Sequence, residues 1–123
     1  MRYTTIEESK RLLKAGVKPD TADMAYYSDD RIEYYKRPVL SPWSTAVDKD
    51  YYLPCWSSDA LIELLENPII KQFNKNGAIV WDCNITLKDG TLVTSDASVT
   101  LFGAVYDIVC KIFEKTYIKP MYY

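Results

Sequence analysis

The spacing of apolar and polar residues along the first part of the chain predicts a helix over residues 5–15. Thr5 and Glu8 have the Thr-x-x-Glu spacing of a capping box, in which each side chain accepts a backbone N–H at the helix start. Gly16 follows the last helical position, and glycine suits the left-handed backbone that commonly ends a helix.

A second, leucine-rich helix is predicted over residues 58–66. Ser57 is its expected N-cap, because a serine oxygen accepts the free N–H groups of a first turn. Trp56 and Leu61 then stand at the two ends of a hydrophobic staple, which fixes how the chain enters a helix. We therefore expect the ring of Trp56 to hold the start of this helix to the core.

Between residues 69 and 95 the apolar period shortens to two, which predicts strands. The apolar side of the central strand carries every second residue: Ile79, Trp81, Cys83, Ile85 and Leu87. The pairs Asn76-Gly77 and Asp89-Gly90 both favour tight turns between antiparallel strands. We predict a three-stranded meander over 69–74, 78–87 and 91–95, with Cys83 in the core.

A last helix is predicted over residues 98–116, with an apolar face wide enough to cover a sheet. Asp96 or Ser98 is the expected cap. Asp107 and Lys111 have the i,i+4 spacing of a helical ion pair.

The middle of the chain is less regular. Met24–Ser28 and Ile32–Tyr35 are compatible with two short strands joined by a turn. Residues 36–56 contain three prolines and several aromatic residues, and we predict a long loop that packs on the body or binds a partner. The aromatic candidates for an interaction surface are Trp43, Tyr51, Tyr52, Tyr34 and Tyr35.

These elements predict a single α+β domain over residues 1–123, with an antiparallel meander covered by helices on one face. A chain of 123 residues is long enough to bury a core of its own. No stretch approaches the length of a transmembrane helix, and the N-terminus lacks the apolar run of a signal peptide. We expect a cytoplasmic protein.

The absence of histidine narrows the chemistry most. It removes Ser-His-Asp and Cys-His catalysis and histidine-ligated metals. The three cysteines, Cys55, Cys83 and Cys110, have no Cys-x-x-Cys spacing, so neither a zinc site nor a disulfide framework is predicted. We expect no metal, no cofactor and no catalytic residue, and a net charge of −2 does not favour nucleic acid.

Two segments could still carry chemistry. A helix N-terminus can activate a thiol, but only at or just inside the cap, and Cys55 lies two residues before Ser57. We interpret Cys55 as a packing residue and keep a catalytic cysteine as the alternative. The acidic stretch over residues 20–35 is a weaker candidate, since its spacing matches no EF-hand loop.

Thr21-Ala22-Asp23-Met24 and Pro54-x-Trp56-Ser57, together with the order of the helices and hairpins, resemble small proteins of gut bacteria and of their phages and mobile elements. No activity is known for that group, so the resemblance implies a setting, a phage-infected or prophage-carrying cell, and no site. The x position is often alanine in those proteins, whereas Cys55 stands here. The middle loop also differs.

A non-enzymatic interaction or accessory protein, such as a host modulator, is the function that these observations favour. Eleven tyrosines and an aromatic loop suit a protein contact. The first alternative is a virion-associated or self-assembling structural protein. A small enzyme that uses Cys55 or the acidic segment is the second.

Overall fold

The computed structural model describes residues 2–28, 37–40 and 51–114. Among them are three α-helices and two three-stranded antiparallel sheets, which confirms the α+β class. The chain divides into two compact units, Met1–Ala60 and Leu61–Tyr123, and each is described by itself. The single domain predicted for residues 1–123 stays a prediction.

Helix α1, Ile6–Ala15, opens the first unit and has both predicted ends. Its capping box is present, because Oγ1 of Thr5 accepts the N–H of Glu8 at 3.1 Å and the Glu8 carboxylate accepts the N–H of Thr5 at 2.9 Å. Gly16 has a φ of 102°, in the left-handed region where glycine carries no side-chain penalty.

The first sheet has the order β2-β1-β3, with β1 over Met24–Tyr27, β2 over Val39–Leu40 and β3 over Tyr52–Cys55. Both neighbours of β1 are antiparallel to it. Helix α1 packs on β3. The core between them is built by side chains from the sheet, with partly buried residues from the N-terminal segment and α1 beside it: Met24, Tyr26, Leu53, Cys55, Tyr3, Ile6 and Leu13.

The prediction of a continuous loop over residues 36–56 is wrong at both described ends, where β2 and β3 lie. β3 was not predicted because it contains Pro54, and proline rarely occurs inside a sheet. The structure shows why it is tolerated: Ser28 N–H donates to the Tyr51 carbonyl, so alternation makes Ala25 and Pro54 a non-hydrogen-bonded pair. Pro54 therefore removes no hydrogen bond from the ladder. The second predicted strand, Ile32–Tyr35, lies outside the described residues.

Helix α2, Ser58–Glu63, is shorter than the predicted 58–66. Ser57 caps it as expected, accepting the N–H of Ala60 on Oγ at 3.2 Å. After the helix, the N–H groups of Leu64 and Leu65 each donate to the carbonyl three residues earlier, as in a 3-10 turn. Asn67 then adopts a φ of 48° before Pro68. Trp56 and Leu61, the residues of the predicted staple, are both fully buried.

The second unit contains the predicted meander, in the order β4-β5-β6: Ile69–Lys75, Ala78–Thr86 and Leu92–Thr94. Asn76 and Gly77 join β4 to β5 with φ angles of 54° and 85°, as a two-residue primed turn requires. The second turn is longer than predicted. Only Gly90 is left-handed there, with a φ of 91°, and Leu87 N–H donates across it to the Thr91 carbonyl.

The predicted alternation of β5 holds in its centre, where Cys83 and Ile85 are buried. The prediction is wrong near the first turn, because Ile79 is 58% exposed, while Val80, which points to the other side of the strand, is 8% exposed. Alternation determines which side of a strand a residue occupies, but it does not determine how far the covering layer extends.

Helix α3, Leu101–Glu114, packs on β5 and β6 and is shorter at its start than the predicted 98–116. Its cap is Thr100, whose Oγ1 accepts the N–H of Gly103 at 3.0 Å, so the prediction of Asp96 or Ser98 is wrong. The backbone of Ser98 is instead paired with Trp81 of β5. Residues 115 and 116 lie outside the described part.

Candidate functional site

The two motifs Thr21–Met24 and Pro54–Ser57 are distant in the sequence but hydrogen-bonded to each other in the first unit. The indole N–H of Trp56 donates to Oγ1 of Thr21 at 2.9 Å. Because Trp56 is fully buried, this bond satisfies a donor that would otherwise be lost from water. The same Thr21 hydroxyl donates to the Lys18 carbonyl at 2.6 Å.

Asp23 holds the start of α2. The backbone N–H and the hydroxyl of Ser57 donate to its two carboxylate oxygens, at 3.0 and 2.5 Å. Ser57 in turn caps the helix through Ala60. From the sequence, Asp23 belongs to an acidic stretch and to the Thr21–Met24 motif, but nothing local indicates a partner 34 residues away.

Thr4 is the centre of a buried hydrogen-bond network. Its N–H donates to the Trp56 carbonyl at 2.9 Å, and its Oγ1 accepts the Trp56 N–H at 3.0 Å. Oγ1 also shares a hydrogen with Oγ of Ser9 at 2.7 Å. The Thr4 carbonyl accepts the hydroxyl of Tyr26 at 2.8 Å and the thiol of Cys55 at 3.3 Å. No local spacing in the sequence indicates this network, since each contact except that with Ser9 is long-range.

The environment of Cys55 is the opposite of what a nucleophile needs. The side chain is fully buried, and burial raises the pKa of the thiol to about 11, although a hydrogen bond from Thr4 acts in the other direction. Burial likewise raises the pKa of Tyr26 beside it. At neutral pH both groups stay protonated, so Cys55 behaves as a packing residue with a hydrogen-bond role.

The acidic stretch is not assembled as a metal site within the described residues. Asp20 is exposed in a short 3-10 turn, while Asp23 is occupied by Ser57. Asp29, Asp30 and Glu33 lie outside the described part of the chain. Across residues 2–28, 37–40 and 51–114, no three Cys, Asp or Glu side chains form a group suited to hold a metal ion.

The predicted aromatic surface is described only in part. Tyr51 and Tyr52 are half-buried, and the Tyr52 ring meets that of Tyr27 edge to face, with centroids 4.2 Å apart. Trp43, Tyr34 and Tyr35 lie outside the described residues. The prediction that these five residues form one surface therefore stays a prediction.

A second exposed surface, which the sequence analysis did not single out, lies on the meander. Ile69 and Phe73 of β4 are 54% and 39% exposed, and Leu92 of β6 is 63% exposed. The register places all three on the same face of the sheet. A signal was present in the sequence, because β4 alternates on this face between apolar residues and lysines.

No helix within the described ranges is long and apolar enough to cross a bilayer. Comparisons of this chain with protein-family models, with curated proteins and with solved structures find no match.

Proposed function

We propose that this chain is a non-enzymatic binding protein, which acts by contacting another protein through the exposed face of the β4-β5-β6 meander. One observation carries the proposal: apolar side chains are exposed on that face, while the Cys55 thiol and the Thr4 and Ser9 hydroxyls beside it are buried and hydrogen-bonded. Exposed apolar side chains that share one face of a sheet are candidates for a protein interaction site.

The setting belongs to the same proposal. The resemblance in the motifs around Asp23 and Trp56 supports a phage or mobile-element origin, with a cytoplasmic host protein as the partner. A host modulator of this kind needs affinity and specificity, and it needs no catalytic group. Its energy would come from a few desolvated side chains rather than from the whole surface.

The test is affinity capture from a gut-bacterial lysate with three forms of the full chain. Wild type is compared with the double variant Ile69→Ser/Phe73→Ser. The matched control is Val39→Ser/Leu40→Ser, which alters two apolar residues of similar exposure, 43% and 70%, in the first sheet. We expect a stoichiometric partner with wild type and with the control, and its loss with the β4 variant.

Two results would count against the proposal. Capture of no protein by wild type contradicts a binding function. Capture that the β4 variant retains and the control loses would move the binding surface to the first sheet. Far-UV circular dichroism of all three forms establishes that they are folded before capture is compared.

A further inference from the structure

β4 is an edge strand, because among the described residues only β5 pairs with it. On the other side of β5, Trp81 exchanges backbone hydrogen bonds with Ser98, at 2.7 and 2.9 Å. In an antiparallel ladder, a residue bonded to one neighbour forms a non-hydrogen-bonded pair with the other. Gln72, which lies opposite Trp81, therefore directs its N–H and C=O away from β5, and alternation extends this to Ile70 and Asn74.

The side chains next to this free edge follow a simple order. On the face shared with Leu92, β4 presents Ile69, Lys71, Phe73 and Lys75, which is apolar, cationic, apolar, cationic. All four are exposed. An added strand would place its own alternate side chains directly opposite these four, close enough for pairwise contact.

The charge of β4 is uncompensated within the strand, which contains no acidic residue. Lys75 lies opposite Ala78 on β5, and Lys71 lies opposite Asp82. Although Lys71 and Asp82 are both described, no ion pair joins them. Lysines on an open edge discourage pairing with a second copy, and they favour a strand of the opposite charge.

We propose that β4 binds an extended acidic segment of a partner protein as an added antiparallel strand. This inference rests on the proposed function and specifies the partner's chemistry: a seven-residue segment with the pattern acid-x-apolar-x-acid-x-apolar. Its acids meet Lys75 and Lys71, and its apolar residues meet Phe73 and Ile69. The backbone groups of Gln72 and its two outward-facing neighbours supply the main-chain hydrogen bonds, as in other strand additions.

The test is an NMR titration of the isotope-labelled full chain with the blocked peptide Glu-Thr-Val-Thr-Glu-Thr-Val. The comparison peptide has lysine in place of glutamate. We expect the glutamate peptide to shift and protect the amides of Ile70, Gln72 and Asn74, and to bind at least about tenfold more tightly than the lysine peptide. Added salt should weaken the binding.

Two matched pairs of variants separate the contribution of backbone hydrogen bonds to peptide binding from the contribution of charge. Gln72→Pro removes an outward N–H and no bond to β5, so it should abolish binding, whereas Gln72→Thr keeps it. Lys75→Glu should abolish the preference for the glutamate peptide, because each peptide then meets one lysine and one glutamate. Lys10→Glu, which makes the same change in net charge at an exposed position of α1, should leave the preference intact. A thermal melt checks each fold, and Lys75→Glu keeps the test valid if Gln72→Pro does not fold.

Several results would overturn the inference. One is no amide shift at about 1 mM glutamate peptide, or shifts confined to residues outside β4. Another is binding of a labelled oligothymidylate to β4 where the peptide does not bind. A third is that the chain is a dimer in solution and that Gln72→Pro dissociates it. Lysate capture that succeeds while the peptide fails refutes only this inference, whereas failed capture refutes the binding function itself.

Discussion

Asp23 connects the first sheet to the start of α2 with one carboxylate. Both of its oxygens accept from Ser57, and Ser57 is 2% exposed, so water cannot replace them. Asp20, three residues earlier, is exposed and has no comparable role. We therefore expect these two acids of one acidic stretch to differ in their contribution to stability, and only the fold distinguishes them.

Asp23→Ala should lower the free energy of unfolding by about 1–3 kcal/mol, because it leaves the buried N–H of Ser57 without an acceptor. Asp23→Asn retains one acceptor oxygen and should lose less. Urea denaturation followed by tryptophan fluorescence measures both, with Asp20→Ala as the control. Equal stabilities of Asp23→Ala and Asp20→Ala would show that the carboxylate does not hold α2.

Trp56 and Cys55 are adjacent and both fully buried, yet we expect them to contribute unequally to the free energy of unfolding. Trp56→Ala removes a large ring and the bond to Thr21, and should cost about 3–5 kcal/mol. Cys55→Ala removes one sulfur atom and a weak hydrogen bond to Thr4, and should cost about 1 kcal/mol. Denaturant melts of both variants test the order. The reverse order would mean that Cys55 is the structural centre of this segment.

At the scale of elements, local signals predicted most of the fold. The capping box of α1, the Asn76-Gly77 turn and the broad apolar face of α3 each depend on residues a few positions apart. β3 was not predicted because a proline usually argues against a strand. Pro54 is tolerated there only because it forms a non-hydrogen-bonded pair with Ala25, which is far away in the sequence. The Thr4 network and the anchor at Asp23 were missed for the same reason, since no spacing within one segment encodes a long-range hydrogen bond.

The N-cap of α3 was predicted wrongly from the sequence, and the observed cap, Thr100, can be tested by substitution. Thr100→Ala should lower the free energy of unfolding by about 1 kcal/mol, because Gly103 N–H then loses its acceptor. Asp96→Ala is the control. Its carboxylate is 85% exposed, and its 3.3 Å contact with Lys111 is a surface pair of small energy. Thermal melts that rank Asp96→Ala as the more damaging would restore the original prediction.

At the scale of the whole molecule, the cysteine thiols of the described residues are buried, whereas several apolar side chains are exposed. The described cysteines Cys55, Cys83 and Cys110 are all buried, and none of them forms a disulfide. The exposed apolar residues lie instead on β4, β5 and β6 and near the start of α3, and also on β2. Because the thiols are buried, we expect thiol reagents to reach them only when the chain unfolds, so the rate of the thiol reaction should report on stability.

The buried thiols also make the free energy of unfolding depend on pH, and the sign of this dependence follows from their raised pKa values. Burial raises the pKa of Cys55 and of Cys83 from 9.0 to about 11 each, so between these values the folded chain holds protons that the unfolded chain has lost. Stability from both thiols is therefore complete below pH 9 and is lost as pH rises toward 11.

We expect urea midpoints to be level from about pH 7 to 8.5 and to fall by about pH 10.5. Alkylation by iodoacetamide at pH 8 should proceed only as fast as the chain unfolds. The double variant Cys55→Ala/Cys83→Ala is the control, and its midpoint should fall less over the same alkaline range, since the raised pKa values of Tyr26 and Lys111 remain but those of the two thiols are gone. A wild-type midpoint that rises with pH, or rapid alkylation of the folded chain, would mean that the thiols are accessible and that a catalytic cysteine must be reconsidered.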